Sequence, residues 1–230
     1  MRPHWPARPM ESGMPQPFSN RRDAGRLLGE HLAARHLGDA IVLGLPRGGV
    51  PVAFEVAAVL RAPLDVFVVR KLGVPRREEL AMGAIASGGI RVLVPEVVED
   101  LCVPPELIDA VTDVERRELE RREREYRGDR LLRPVTGRTV ILIDDGAATG
   151  ASMRAAIQAV RALDPARIVA AAPVMSAEGR DRIREVADAV EVLAVPEPFH
   201  GVGVWYDDFS QTSDEEVRML LASAARQADV

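Results

Sequence analysis

Asp144 and Asp145 stand together after the four apolar residues Val140–Ile143, and Gly146-Ala147-Ala148-Thr149-Gly150-Ala151-Ser152 follows them. An unbroken apolar run of this length reads as a strand buried on both faces, with the carboxylates where it surfaces. From Ser152, Met153, Ile157, Val160 and Leu163 recur at helical spacing. The unit is therefore strand, acidic pair, small-residue loop and helix N-terminus. Small side chains let backbone N–H groups approach an anion, and a helix N-terminus adds unpaired donors and partial positive charge. The Thr149 and Ser152 hydroxyls are further donors. Carboxylates beside a phosphate cradle suit a ligand carrying both hydroxyls and a phosphate, as ribose 5-phosphate does.

A second loop has the same character. Gly44-Leu45-Pro46-Arg47-Gly48-Gly49-Val50-Pro51 lies between the short apolar run Ile41–Leu43 and the helical stretch Val52–Leu60, with Pro51 in its first turn. Its guanidinium can grip two phosphate oxygens, and its glycines permit either a close approach or simply a tight turn. Arg70 and Lys71 end the strand-like run Leu64–Val69. Of the 30 Lys and Arg residues Lys71 alone is lysine, a compact ammonium in a chain otherwise furnished with planar guanidinium forks.

Residues 140–152 resemble the 5-phosphoribosyl-1-diphosphate (PRPP) signature of the type I phosphoribosyltransferases, in the hydrophobic run, paired acids, Thr-Gly and closing hydroxyl residue. The resemblance covers residues 20–210 and is strongest at 44–52, 68–73 and 140–154. It implies that Asp144 and Asp145 hold ribose hydroxyls, while Ala147, Ala148, Thr149, Gly150, Ala151 and Ser152 wrap the 5-phosphate. It further implies that Arg47, Gly48, Gly49, Arg70 and Lys71 contact pyrophosphate. The loop continuing through Arg76, Arg77, Glu78 and Glu79 is similar to the family's mobile loop. Closure excludes water while positive charge builds on the sugar. There Lys71, Arg76 and Arg77 are expected to neutralise the departing pyrophosphate, and Glu78 or Glu79 to manage a proton.

Phe199, Trp205, Tyr206 and Phe209 are four of nine aromatic residues. Phe199, Trp205 and Tyr206, with Trp205 foremost, are candidates to sandwich a planar acceptor base in a variable hood over 196–210; packing against the domain or a second subunit is the competing role. Asp207 and Asp208 either accept N–H bonds from a base or face water. The family's 6-oxopurine enzymes place an Asp where this chain has Ala148, and present a C-terminal lysine that is missing here, so the resemblance implies an acceptor other than hypoxanthine or guanine.

The elements that must position these residues alternate. A helix over 19–35 capped by Ser19, strand 41–43, helix 52–60, strand 64–69, a loop-rich stretch to Gly89 and extended 90–94 come first. A charged helix over 105–126, strand 140–143, helix 152–163, strand 167–172, helix 177–187 and strand 189–194 follow. This predicts an α/β fold, a doubly wound parallel sheet with helices on both faces plus a small hood. Ser213 and Glu216 form a capping box for a last helix within 211–230. Residues 1–18, with five prolines, read as a flexible tail rather than a signal peptide, leaving one domain over 19–210.

A 47% hydrophobic chain of 230 residues without a membrane-length apolar run and with a single cysteine fits a soluble cytoplasmic enzyme, Cys102 being a buried small hydrophobe. The net charge of −5 argues against nucleic acid as a partner. The expected reaction is PRPP-dependent transfer of 5-phosphoribosyl to a nitrogen of a small aromatic base, with release of pyrophosphate. Mg²⁺ is expected to be held mainly by the pyrophosphate, without a dedicated protein metal site. PRPP and the base are the expected partners, a homo-oligomer being compatible. A non-catalytic PRPP or nucleotide sensor and a hydrolase of a phosphoribosyl compound are the alternatives.

Overall fold

The structure, a computed structural model, describes residues 18–228. Five parallel strands form its centre: β1 (Ala40–Gly44), β2 (Leu64–Val66), β6 (Thr139–Ile143), β7 (Arg167–Val174) and β8 (Ala189–Ala194), in the order β2-β1-β6-β7-β8. Alternate residues serve opposite faces. Val42, Ile141, Ile143, Val169 and Ala171 join the cluster under α1 (Arg21–Ala33) and α2 (Gly49–Leu60). Ile41, Leu43, Val140, Leu142, Ile168 and Ala170 join the one under α5 (Ala151–Arg161) and α6 (Ala177–Arg184). Both faces are covered, which is why these strands read as unbroken apolar runs. The predicted doubly wound parallel sheet is present.

Several local expectations change. Asn20, not Ser19, caps α1: its side-chain oxygen accepts from the N–H groups of Arg22 and Asp23, both at 3.0 Å. Ser19 is drawn aside because its carbonyl accepts from Asp208 N–H at 3.0 Å. The expected strand 64–69 is two strands. β2 stops at Val66; Phe67 N–H then binds the Gly44 carbonyl, and Val68 N–H binds the Ser87 hydroxyl at 3.0 Å. The chain thereby leaves the parallel sheet.

The stretch expected to be loop-rich is instead a second sheet, three antiparallel strands in the order β3 (Val69–Val74), β4 (Arg77–Ala86) and β5 (Ile90–Leu93). Register shifts around Gly73 disturb the two-residue alternation that would have disclosed it. Gly83 also lets the strands approach closely, since a Cβ there would lie 2.4 Å from the Val92 carbonyl. One face of this sheet meets α5 and the other α4 (Pro105–Arg127). A short helix, α3 (Pro95–Asp100), was not expected; Pro95 starts it.

The final helix, α7 (Asp214–Ala228), begins where predicted, with the Ser213 hydroxyl accepting from Glu216 N–H at 3.1 Å. Of the predicted tail, residues 1–17 lie outside the described residues. Phe18 is part of the core: it bridges to Tyr206 and is buried with Ala24, Val174 and Trp205. Cys102 is exposed rather than buried, standing at φ 48° in the turn after α3.

Candidate functional site

The two small-residue loops leave the C-terminal ends of the adjacent strands β1 and β6, where ligands of such sheets bind. They touch. Leu45 N–H binds the Ile143 carbonyl at 2.8 Å. A Cβ at Gly49 would lie 2.5 Å from that carbonyl, and one at Gly48 would lie 2.0 Å from Asp145 Oδ2. Only hydrogen fits between the Gly48 backbone and the carboxylate. The Pro46–Arg47 peptide is cis. The Arg47 guanidinium is half-buried and stands 3.7 Å from Asp214 at the start of α7.

The two acids are unequal. Burial, and then the charge of Asp145, push the Asp144 carboxyl well above the usual carboxylate range, although Asp145 N–H donates to its Oδ1 at 2.9 Å. Asp145 is paired with Arg21, Nε to Oδ2 at 2.8 Å. Arg21 also donates to the Ser210 carbonyl at 2.7 Å and lies 3.8 Å over the Phe209 ring. Phe209 stacks on Tyr206 at 5.0 Å, and the Tyr206 hydroxyl donates to the Asp145 carbonyl. Burial and the Asp145 charge raise the Tyr206 phenol, which keeps it a donor.

Past the acids, the loop is held from the α6 side. Ser176 N–H binds the Ala147 carbonyl at 2.9 Å, and its hydroxyl donates to the Ala148 carbonyl while accepting from Gly179 N–H. Gly150 takes φ 72° at the start of α5, which favours glycine. The start of α5 has no side-chain cap and no acid in its first turn. Ala148, Thr149, Ala151 and Ser152 are exposed there. The Thr149 hydroxyl meets Ala151 N–H at 3.4 Å. Such an end is open to an anion.

The structure thus brings Arg47, Gly48 and Gly49 together with Asp144, Asp145 and residues 147–152. The others lie on the β3–β4 hairpin. Arg70 is turned toward α4, paired with Glu115 at 2.7 Å. Lys71 is exposed, its ammonium 3.5 Å from the Glu79 carbonyl. Arg76, Arg77, Glu78 and Glu79 are exposed at and beyond the hairpin tip.

The hood differs from the reading that put Trp205 foremost. Trp205 and Tyr206 are 2% and 6% exposed and pack with Phe18, while Phe199 is partly buried against the same cluster. Phe18 N–H binds the Trp205 carbonyl and Asp207 N–H binds the Phe18 carbonyl, both at 2.8 Å, so the rings close over the incoming chain. The more open ring is Phe209, at 36%. Asp207 and Asp208 are exposed; Asp208 accepts from Ser210 N–H, and that bond lowers its carboxyl.

Arg21 is the participant the sequence reading missed. It stands 124 positions from its carboxylate partner, in a helix turn rich in other arginines, and nothing local marks it. Ser176 was missed likewise, although a serine before a helix is a readable cap. Among the described residues no group of three or more His, Cys, Asp or Glu side chains is placed to hold a metal. The acidic pair fits a hard cation whose other oxygens come from its ligand, because two adjacent carboxylates supply too few donors alone.

The sequence family described as the phosphoribosyl transferase domain matches residues 22–207. A Mycobacterium tuberculosis protein named "putative phosphoribosyl transferase", in two strains, is 48% identical over 209 residues; these cover 91% of this chain and 47% of the relative. The chain spans about half the length of those curated relatives. The crystal structure of TT1426 from Thermus thermophilus is 43% identical with a TM-score of 0.84, over 90% of this chain and 99% of that one. A fold whose paired acids and facing glycine loop meet at the ends of β1 and β6 agrees with that match, and the chain belongs to the phosphoribosyl transferase domain family.

Proposed function

We propose that this chain binds PRPP and transfers its 5-phosphoribosyl group to a nitrogen of a small aromatic base, releasing pyrophosphate. The observation that carries the reading is the contact of the Gly48–Gly49 backbone with Asp144 and Asp145, beside the open start of α5. In this reading the start of α5 takes the 5-phosphate and the acids accept the ribose hydroxyls. Asp144 and Asp145 both accept from those hydroxyls, Asp145 oriented by Arg21. Arg47 and the N–H groups of its loop meet the pyrophosphate. Breaking the bond at C1 leaves positive charge on the sugar and negative charge on the leaving group. The residues supply position and charge stabilisation, without a covalent intermediate.

Mg²⁺ bound with the pyrophosphate would supply further neutralisation of the leaving group, and Asp144 and Asp145 are the carboxylates that would help to hold it. Closure of the β3–β4 hairpin brings Lys71, Arg76 and Arg77 to the leaving group and excludes water, and Glu78 or Glu79 takes the proton that the base nitrogen releases as its bond to C1 forms. Phe209, more exposed than Trp205, offers the base an edge, since Arg21 and Tyr206 lie over its ring faces. No helix among the described residues is long and apolar enough to cross a membrane, and the reaction needs none.

Calorimetry with PRPP and Mg²⁺, followed by a screen of nucleobases for pyrophosphate release, tests the reading. Asp145→Asn removes charge-assisted hydrogen bonds of ~1.5–3 kcal/mol, so PRPP binding should weaken roughly 10- to 100-fold. Unchanged affinity would reduce the acidic pair to a turn. Binding without pyrophosphate release for any base would mark a sensor, and release with water alone would mark a hydrolase.

A further inference from the structure

At the other end of the sheet, beside Pro63 ahead of β2, a cleft of about 520 Å³ opens between the end of α2, the segment around Arg133 and α7. Its charged lining residues are Arg61 and Arg133, and no carboxylate lines it. Phe54, Ala57, Pro63 and Ala224 make an apolar wall. A smaller adjoining cavity of about 140 Å³ shares Arg133 and adds Arg127 and Arg130. The acid there, Asp65, is already engaged by Arg127 at 2.8 Å and by the N–H groups of Val66 and Arg133. Among the described residues Arg61, Arg130 and Arg133 form no ion pair, although most arginines of this acidic chain do.

The backbones that carry these guanidinium groups are fixed. Arg61 ends α2 at φ 52°, its N–H on the α2 carbonyls. Arg133 N–H is held at 3.0 Å by buried Asp65, and Arg130 Nε binds the Arg127 carbonyl at 3.1 Å. Unpaired like charges held around one cleft repel until an anion joins them. Guanidinium forks match phosphate oxygens, an apolar wall with one ring suits a planar base, and the volume is that of a small-molecule site.

We propose that this cleft is a second binding site, remote from the acidic pair, that takes a nucleoside di- or triphosphate. Its phosphates lie among Arg61, Arg130 and Arg133, and its base against the Phe54 side. The test is calorimetry on the full chain with ADP and, separately, PRPP, using wild type, the double variant Arg61→Gln/Arg133→Gln, and Asp145→Asn. Neither arginine has an ion pair to lose, so the double variant should melt like wild type. It should bind ADP about 100-fold more weakly, about tenfold for each phosphate contact, and PRPP as before. Asp145→Asn should show the reverse pattern, so failure here and failure of the transferase reading are separable. Absence of ADP binding at about 1 mM overturns the proposal, as does ADP affinity that follows Asp145 instead of the arginines. Displacement of ADP from wild type by a single-stranded RNA oligomer at far lower concentration overturns it in favour of a nucleic-acid surface.

Discussion

Gly48→Ala isolates the contact on which the PRPP reading depends. Gly48 has φ −60° and ψ −33°, so alanine fits the backbone without strain and gains about 0.4–1 kcal/mol by restricting the unfolded chain. Its methyl group, however, would stand 2.0 Å from Asp145 Oδ2 and 2.7 Å from Asp145 Cγ. The carboxylate must retreat by about 1 Å to reach even a tight contact. That movement breaks the 2.8 Å bond to Arg21, a pair whose side chains are only 12% and 15% exposed and is therefore little screened. It also displaces the acceptor proposed for a ribose hydroxyl. One charge-assisted hydrogen bond is worth ~1.5–3 kcal/mol, so PRPP affinity should fall roughly 10- to 100-fold. The melting temperature should move by only a few degrees, because the backbone gain offsets part of the broken pair. Calorimetry with PRPP and Mg²⁺ beside a thermal melt reads both quantities. A folded variant with wild-type PRPP affinity would refute the role given to the Gly48–Asp145 contact.

Asp144 should leave a signature in the pH dependence of stability. Its folded-state pKa is raised by burial and by Asp145, so the folded protein binds the extra proton and this contribution is complete below the unfolded value of about 4. It is lost as pH rises through the folded value; Asp144→Asn should therefore flatten the decline in melting temperature above pH ~4, and a parallel decline in both proteins would contradict the assignment. Trp205→Ala removes a ring that is 2% exposed and should cost ~3–5 kcal/mol, with PRPP and acceptor binding disturbed together. A stable variant with only a raised acceptor KM would return Trp205 to the stacking role. Arg127→Met strips the buried Asp65 of its partner and should cost ~3–5 kcal/mol by urea unfolding, with partial recovery on adding Asp65→Asn. A loss below about 1 kcal/mol would mean that Asp65 is satisfied by its backbone donors alone.

Much of this protein is legible along the chain because the signals are local. A strand buried on both faces must be apolar at each position, so Val140–Ile143 declares itself and places Asp144 and Asp145 at its end. The Ser213 and Glu216 cap and the glycines of 44–51 are likewise short-range chemistry. The hairpin escaped because its strands face α4 on one side and α5 on the other, with a bulge at Gly73 that erases the two-residue period. Arg21, Phe18 and the burial of Trp205 depend on segments nearly 190 positions apart meeting over the end of the sheet. Whether a ring lines a pocket or fills a core is decided by what stands behind it. For Trp205 that neighbour is Phe18, brought there by chain topology, and no spacing within the hood encodes it.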